Sequence, residues 1–325
     1  MLKGKLRPYD FWSDGVTQGL LKKFLECRQL AKLYLQGWTS NRVGSALLHG
    51  ILTHSVLERL HEWQRKTKLA CPSRESVLKM VEYVLSIYRK KEGLRWSAEQ
   101  VNEFNQIGAQ IQAVVPAYFQ YWKSKPLQWL EIEGVFRIKH TFGPGAKDWT
   151  WLTGRLDGLY TAKGALGLFD AKNKSQISQD QFGEVLLRDW QINFYLLAVW
   201  KMTKRYPNEF IYNVMRRPGL EFRKTDSLVA YRARIEDHIQ EKGGDYYFSR
   251  YAVAVDKADL LAFEQELNGV LFEFKQWLEA GMPSRLFGQP CITKYGLCSM
   301  VPIDYNGDFS FHHQREEMFS ELSEG

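Results

Sequence analysis

Apolar residues at Leu20, Leu21, Phe24, Leu25 and Leu30 recur at helical spacing and predict a helical region around Cys27. The same period predicts helices over about 44–66, 75–90 and 97–123, the last ending near Pro126. Beyond Pro126 the pattern changes. Residues 129–140, 149–160 and 166–173 are rich in Ile, Val, Leu and Phe and predict strands, with Gly143-Pro144-Gly145 marking a turn between the first two. Helical spacing returns over about 184–204, through Val185, Leu186, Trp190, Phe194, Leu197 and Val199. Residues 209–216 predict a further strand, broken by Pro218-Gly219. A helix over about 227–242, a short strand over 252–255 and a long amphipathic helix over 257–279 follow. Residues 281–325 are a loop-rich tail, and the chain has no repeats or low-complexity linker.

The chemistry concentrates in the middle of this pattern. Gly154-Arg155-Leu156-Asp157-Gly158-Leu159-Tyr160 and Leu168-Phe169-Asp170-Ala171-Lys172 are apolar strands on either side of Gly164 and Gly167, which predicts a β-hairpin. Asp is disfavoured in strand interiors, so one in each of two adjacent strands calls for a reason. A hairpin that brings both carboxylates to one end of a sheet makes a hard oxygen site suited to Mg²⁺. Lys172 shares the face of Asp170, two positions away. A cation beside a metal-held water suits phosphodiester hydrolysis. The plainer alternative is two acids in solvated turns and an ordinary exposed lysine. His54 lies on a helix otherwise apolar at Leu52, Val56, Leu57 and Leu60, where a ligand or a structural role both suit it. Glu58, one turn on, suits orienting His54, holding a second metal, or an ordinary paired glutamate.

Asp157 followed by Asp170-Ala171-Lys172 resembles the motif of the PD-(D/E)XK nuclease superfamily. Two further stretches resemble its RecB/AddB/Cas4-like branch, found in phage and bacterial recombination nucleases. Gly50-Ile51-Leu52-Thr53-His54-Ser55-Val56-Leu57-Glu58 resembles the branch's Gly-x-x-x-His-x-x-Leu-Glu helix, and Gln191-Ile192-Asn193-Phe194-Tyr195 its Gln-x-x-x-Tyr motif. The resemblance spans roughly residues 20 to 305. It implies an α/β fold: a restriction-endonuclease-like core, a mixed sheet flanked by helices, with a helical N-terminal region. Residues 1–325 then form a single nuclease domain, with 67–126 a helical insertion or cap. It implies a Mg²⁺- or Mn²⁺-dependent deoxyribonuclease of exonuclease type, acting in recombination, repair or phage DNA processing. The implied metal ligands are His54, Asp157, Asp170 and the backbone carbonyl of Ala171, with Lys172, Gln191 and Tyr195 completing the catalytic set. Some members place an acid early in the fold, and Glu133 lies on the strand before the hairpin. The branch usually has threonine after the lysine, where this chain has Asn173. Cys27, Cys291 and Cys298 resemble the branch's ligands to a [4Fe–4S] cluster. The fourth position falls at Asp304, where clusters normally take cysteine; free or remnant cysteines are the alternative. Cys71 lies in the expected insertion.

Composition narrows the partners. A length of 325 residues suits one large domain or two small ones, and 45% hydrophobic content supplies a core. A net charge of +7 favours a polyanionic partner without identifying one, with a merely basic soluble protein the alternative; the resemblance implies DNA. Arg155, Lys174, Arg188, Arg216 and Arg217 are candidate phosphate contacts. Eleven tryptophans in 14% aromatics leave some rings to stack on unpaired bases. No apolar run approaches the ~20 residues of a membrane helix, and residues 1–13 lack a secretion core. The expectation is an intracellular, cytoplasmic protein whose cysteines are not disulfides, and the resemblance implies a bacterial or phage source. With no Walker A loop, unwinding falls to a helicase or recombination partner. A catalytically inactive DNA-binding or scaffold protein with a nuclease fold is the alternative, though it would be expected to lose Asp157, Asp170 or Lys172. An RNA-directed nuclease would lack any recognisable RNA-binding module.

Overall fold

The structure, a computed structural model, describes residues 6–41, 43–93, 96–162, 164–177, 182–283, 291–293, 296–319 and 322. Helices α1 (Gln18–Glu26) and α2 (Arg28–Leu35) lead to a short strand β1 (Trp38–Ser40). Helices α3 (Ser45–Thr67), α4 (Arg74–Glu92) and α5 (Ala98–Trp122) precede strands β2 (Gln128–Phe142), β3 (Asp148–Ala162) and β4 (Ala165–Lys174). Next come α6 (Phe182–Leu187), α7 (Trp190–Thr203), β5 (Glu209–Arg216), α8 (Leu228–Lys242), α9 (Gly244–Tyr247), β6 (Phe248–Ala254) and α10 (Lys257–Glu279). The tail holds β7 (Ile292–Thr293), β8 (Gly296–Leu297), α11 (Val301–Asn306) and β9 (His312–Gln314).

Polar residues set the helix starts. Thr17, Ser73, Ser97, Asp189, Ser227 and Asp256 each accept a backbone N–H as N-cap, and Ser97 with Gln100 forms a full capping box. The region around Cys27 is not one helix. Its backbone is extended at Cys27 (φ −160°, ψ 115°), which ends α1 and starts α2.

The main sheet runs β2-β3-β4-β5-β6. β2, β3 and β4 pair antiparallel, β4 and β5 are parallel across the α6–α7 crossover, and β6 returns antiparallel. This mixed α/β sheet is the expected fold class. A core of Leu20, Phe24, Phe194, Leu197, Leu168, Val214 and Phe274 joins the sheet to α1, α7 and α10. On the other side Leu52, Val56, Val81, Ile111 and Ile235 join α3, α4, α5 and α8 to Met215 and Phe248. The segment expected as an insertion, residues 67–126, thus contributes α4 and α5 to the second helical layer. The tail is more regular than expected: β9 pairs antiparallel with β1, Thr39 opposite His313.

The β2-β3 ribbon turns over at one point. Ile132 and Gly158 face the small cluster around Trp129 and Phe169, whereas Phe136 and Leu156 face the main core. Residues an even number apart should share a face. Between them lies Glu133, whose φ of +51° is left-handed. Such a backbone costs a residue with a Cβ roughly 1–2 kcal/mol; it marks the reversal on β2, whereas Asp157, opposite it on β3, has no positive φ. Among the described residues no helix is long and apolar enough to cross a membrane.

Candidate metal and catalytic site

The turnover in the ribbon delivers two acids to one place. Glu133 lies opposite Asp157, in the register gap between the Ile132–Gly158 and Gly134–Leu156 pairs. From α3, His54 Nε2 lies 2.7 Å from Glu133 Oε1 and 3.6 Å from Asp157 Oδ1. One donor atom from each of these three residues falls within 4.8 Å of the others. Asp157 Oδ2 accepts the backbone N–H of Ala171 at 2.7 Å, which ties β3 to β4 at the site. Arg155 donates from Nε to Glu133 Oε2 at 2.9 Å.

Asp170 is 2% exposed on β4. Its Oδ1 accepts from Lys172 Nζ at 2.8 Å and from Gln191 Nε2 at 3.4 Å, while Oδ2 is buried with no partner. Tyr195, one turn beyond Gln191 on α7, lies under the site against Phe136, and a Cβ on Gly154 would come within 3.2 Å of its ring. A cleft of about 520 Å³ opens beside these groups, lined by Gly50, His54, Glu58, Arg155, Lys172 and Asn173. Both amide atoms of Asn173 are buried there without a hydrogen-bond partner.

The electrostatics are those of crowded acids. Burial opposes charge on His54, yet Asp157 and Glu133 outweigh it and lift the imidazole to about 9. Its positive ring therefore sits between two carboxylates, where a metal cation would serve the same purpose. Burial raises the Asp170 carboxyl and Asp157 adds to the rise, against the opposing pull of Lys172. Burial also opposes charge on Lys172, but Asp170 and Asp157 hold it protonated. Glu58 is raised by burial and by the neighbouring Glu133. Burial, then Asp157 and Asp170, push the Tyr195 phenol up.

The residues expected from sequence thus meet: His54, Asp157, Asp170, Lys172, Gln191, Tyr195 and, through its N–H, Ala171. The expected ligand set omitted Glu133, the acid nearest His54; the signal available was an acid on the strand preceding the hairpin. The candidate phosphate contacts divide. Arg155 is engaged by Glu133, Lys174 Nζ stacks 5.0 Å from the Tyr212 ring and Arg216 lies 3.9 Å from the Tyr246 ring. Arg217 packs at the end of β5, where its charge helps depress His49, and Arg188 is exposed after α6.

The cysteines are free, and three of them converge. Cys298 N–H donates to Cys291 O at 2.8 Å across the β7-β8 hairpin. Burial raises the Cys298 thiol, and Cys27, Cys291 and Asp304 are near enough to raise it further. Cys71 stands apart, its thiol donating to Pro72 O.

Residues 16–286 match the sequence model of a family described as the PD-(D/E)XK nuclease superfamily. No curated protein matches the chain.

Proposed function

Because the chain belongs to the PD-(D/E)XK nuclease superfamily, we propose that it is a divalent-metal-dependent deoxyribonuclease. The observation that carries this reading is the convergence of His54, Glu133 and Asp157 beside the buried Asp170–Lys172 pair. The donor set fits a hard cation. Two carboxylates and an imidazole approach one another, and an unpartnered Asp170 oxygen lies next to them. Mg²⁺ or Mn²⁺ held by His54, Glu133, Asp157 and Asp170, with the Ala171 carbonyl adjoining, would supply Lewis acidity to water and phosphate. The protein's own groups do the rest. Lys172 keeps its charge against burial and stabilises negative charge that builds on the phosphate. Gln191 fixes the Asp170 carboxylate, and Arg155 orients Glu133. The orphaned Asn173 amide offers a donor and an acceptor to what enters the cleft.

The resemblance to the RecB/AddB/Cas4-like branch supports cleavage from DNA ends, with a helicase or recombination partner supplying unwinding. Three thiols and one carboxylate converging at Cys27, Cys291, Cys298 and Asp304 suit a [4Fe–4S] cluster. Such a cluster would relieve the electrostatic crowding at Cys298 and join the α1–α2 junction to the tail.

The test is cleavage of labelled single-stranded DNA, duplex DNA, RNA and closed circular DNA, with Mg²⁺, Mn²⁺ or EDTA. Linear DNA should be degraded only with metal, circles should persist, and Asp170→Asn and Lys172→Ala should each lose turnover while remaining folded. Undiminished cleavage in EDTA, or active variants at both positions, would sink the reading. DNA binding without metal-dependent cleavage would favour the inactive scaffold.

A further inference from the structure

The β2-β3 ribbon extends well past the metal site, and its outer face has an unusual make-up. The outward positions are Val135, Arg137, Lys139 and Thr141 on β2 and the half-buried Trp149, Trp151 and Arg155 on β3, while Thr153 is buried and donates to Val16 O. Three are cations, two are indoles and none is an acid. A solvated strand face ordinarily mixes charges of both signs. Here Arg155 pairs with Glu133, and the other two cations are held over rings. The Arg137 guanidinium lies 4.7 Å from the Trp151 ring centroid and donates to Ser13 O. Lys139 Nζ lies 4.4 Å from the Trp149 centroid. Among the described residues neither forms an ion pair with a carboxylate. The nearby acids are already engaged: Asp148 by Lys275, and Asp14 by Arg7. Trp12, 39% exposed, continues the aromatic surface beyond Trp149, with ring centroids 5.7 Å apart.

This face begins at the catalytic site, because Arg155, its inner member, bonds Glu133. From Arg155 to Trp149 it covers six residues, roughly 20 Å of extended strand. A cation seated on an indole keeps its charge and loses much of its freedom, which is how a phosphate anchor is prepared in advance. We propose that the outer face of β2-β3, from Arg155 to Lys139 and Trp149, carries the DNA strand as it leaves the metal site, with Arg137 and Lys139 each holding a backbone phosphate. This rests on the nuclease reading above and adds a substrate path to it. The match is one of charge: Arg137 and Lys139, neither neutralised by a carboxylate, face a polyanion that must pass close to Glu133 and Asp157.

The test compares the parent, Arg137→Ala/Lys139→Ala and Arg137→Lys/Lys139→Arg on two substrates. One is a single-stranded DNA of about 20 nucleotides; the other is thymidine 5′-p-nitrophenyl phosphate, too short to reach the strip. Two lost phosphate contacts on single-stranded DNA should flatten the slope of log affinity against log salt by about 1.4 and raise KM for DNA roughly tenfold. Turnover of the short ester should not change. The Lys/Arg exchange should keep the parent's salt slope, whereas a mere loosening of the Ser13 contact would not follow charge. A parent that cleaves both substrates, with an alanine variant of equal slope and KM, would overturn the path and leave the nuclease standing. A parent that cleaves neither would overturn the nuclease reading and the path with it.

Discussion

The imidazole of His54 makes metal binding a contest between a proton and an ion. In the metal-free protein its pKa is about 9, set by Asp157 and Glu133 against the cost of burial. A ligating nitrogen must be deprotonated, so metal uptake releases that proton. At pH 7, about two units below the pKa, roughly one site in a hundred is ready to accept the ion. Apparent affinity should then rise by about tenfold per pH unit up to about pH 9. Water reaches the ring, whose side chain is 31% exposed, and screens part of the attraction, so the roughly hundredfold gain this implies between about pH 7 and 9 is an upper bound. The direction is fixed: a higher pH favours the ion. Calorimetric titration with Mn²⁺ between about pH 6.5 and 8.5, in buffers of different ionisation heat, reads both the affinity and the protons released. The expectation is close to one proton per ion for the parent and none for His54→Asn, whose weaker affinity should vary little with pH. If the parent binds Mn²⁺ equally well across this range and releases no proton, His54 is not displaced from its carboxylates, and its place among the ligands is refuted.

Glu133→Ala and Glu133→Gly delete the same carboxylate, so both should lose metal affinity equally. With φ at +51°, the glycine variant should be about 1 kcal/mol more stable in urea than the alanine variant; equal midpoints would mean that this backbone is unstrained. His49 is buried and its pKa is depressed to about 4, by desolvation and then by Arg217. The unfolded chain takes up this proton near pH 6.5 and the folded protein near 4, so stability should fall as pH drops between those values, by up to ~3 kcal/mol. Denaturant titrations should show a flatter acid limb for His49→Gln, and an unchanged limb would acquit His49. Protein purified anaerobically should be brown with iron and sulfide, and Cys298→Ser should be less stable; colourless, iron-free protein and an equally stable variant would mean that no cluster is held.

Much of the site was legible because its spacing is local. Asp170 and Lys172 share a strand face, Gln191 and Tyr195 share a helix face, and a hairpin had to bring Asp157 beside Asp170. Glu133 was harder. Strict alternation puts it on a fixed face of β2, but its left-handed backbone marks a reversal of that face at the point where its carboxylate matters. No periodicity reports a single φ. Cys27 misled for a similar reason: apolar spacing continues through it while the backbone does not. The pairing of β1 with β9 was illegible because short strands carry little pattern and their partners lie far apart in sequence.

That distant pairing has a consequence for the life of the chain. His313 reaches across 272 positions to bond Asn41 beside β1. At about 5–20 residues per second on the ribosome, β1 waits tens of seconds for its partner. Every residue proposed to hold the active-site metal, from His54 to Ala171, emerges during that wait. Truncation within the tail would therefore leave those ligands in the chain but strip β1 of its cover, presenting its edge to proteases and to other strands. Closure of β1 thus waits until residues 312–314 have been made.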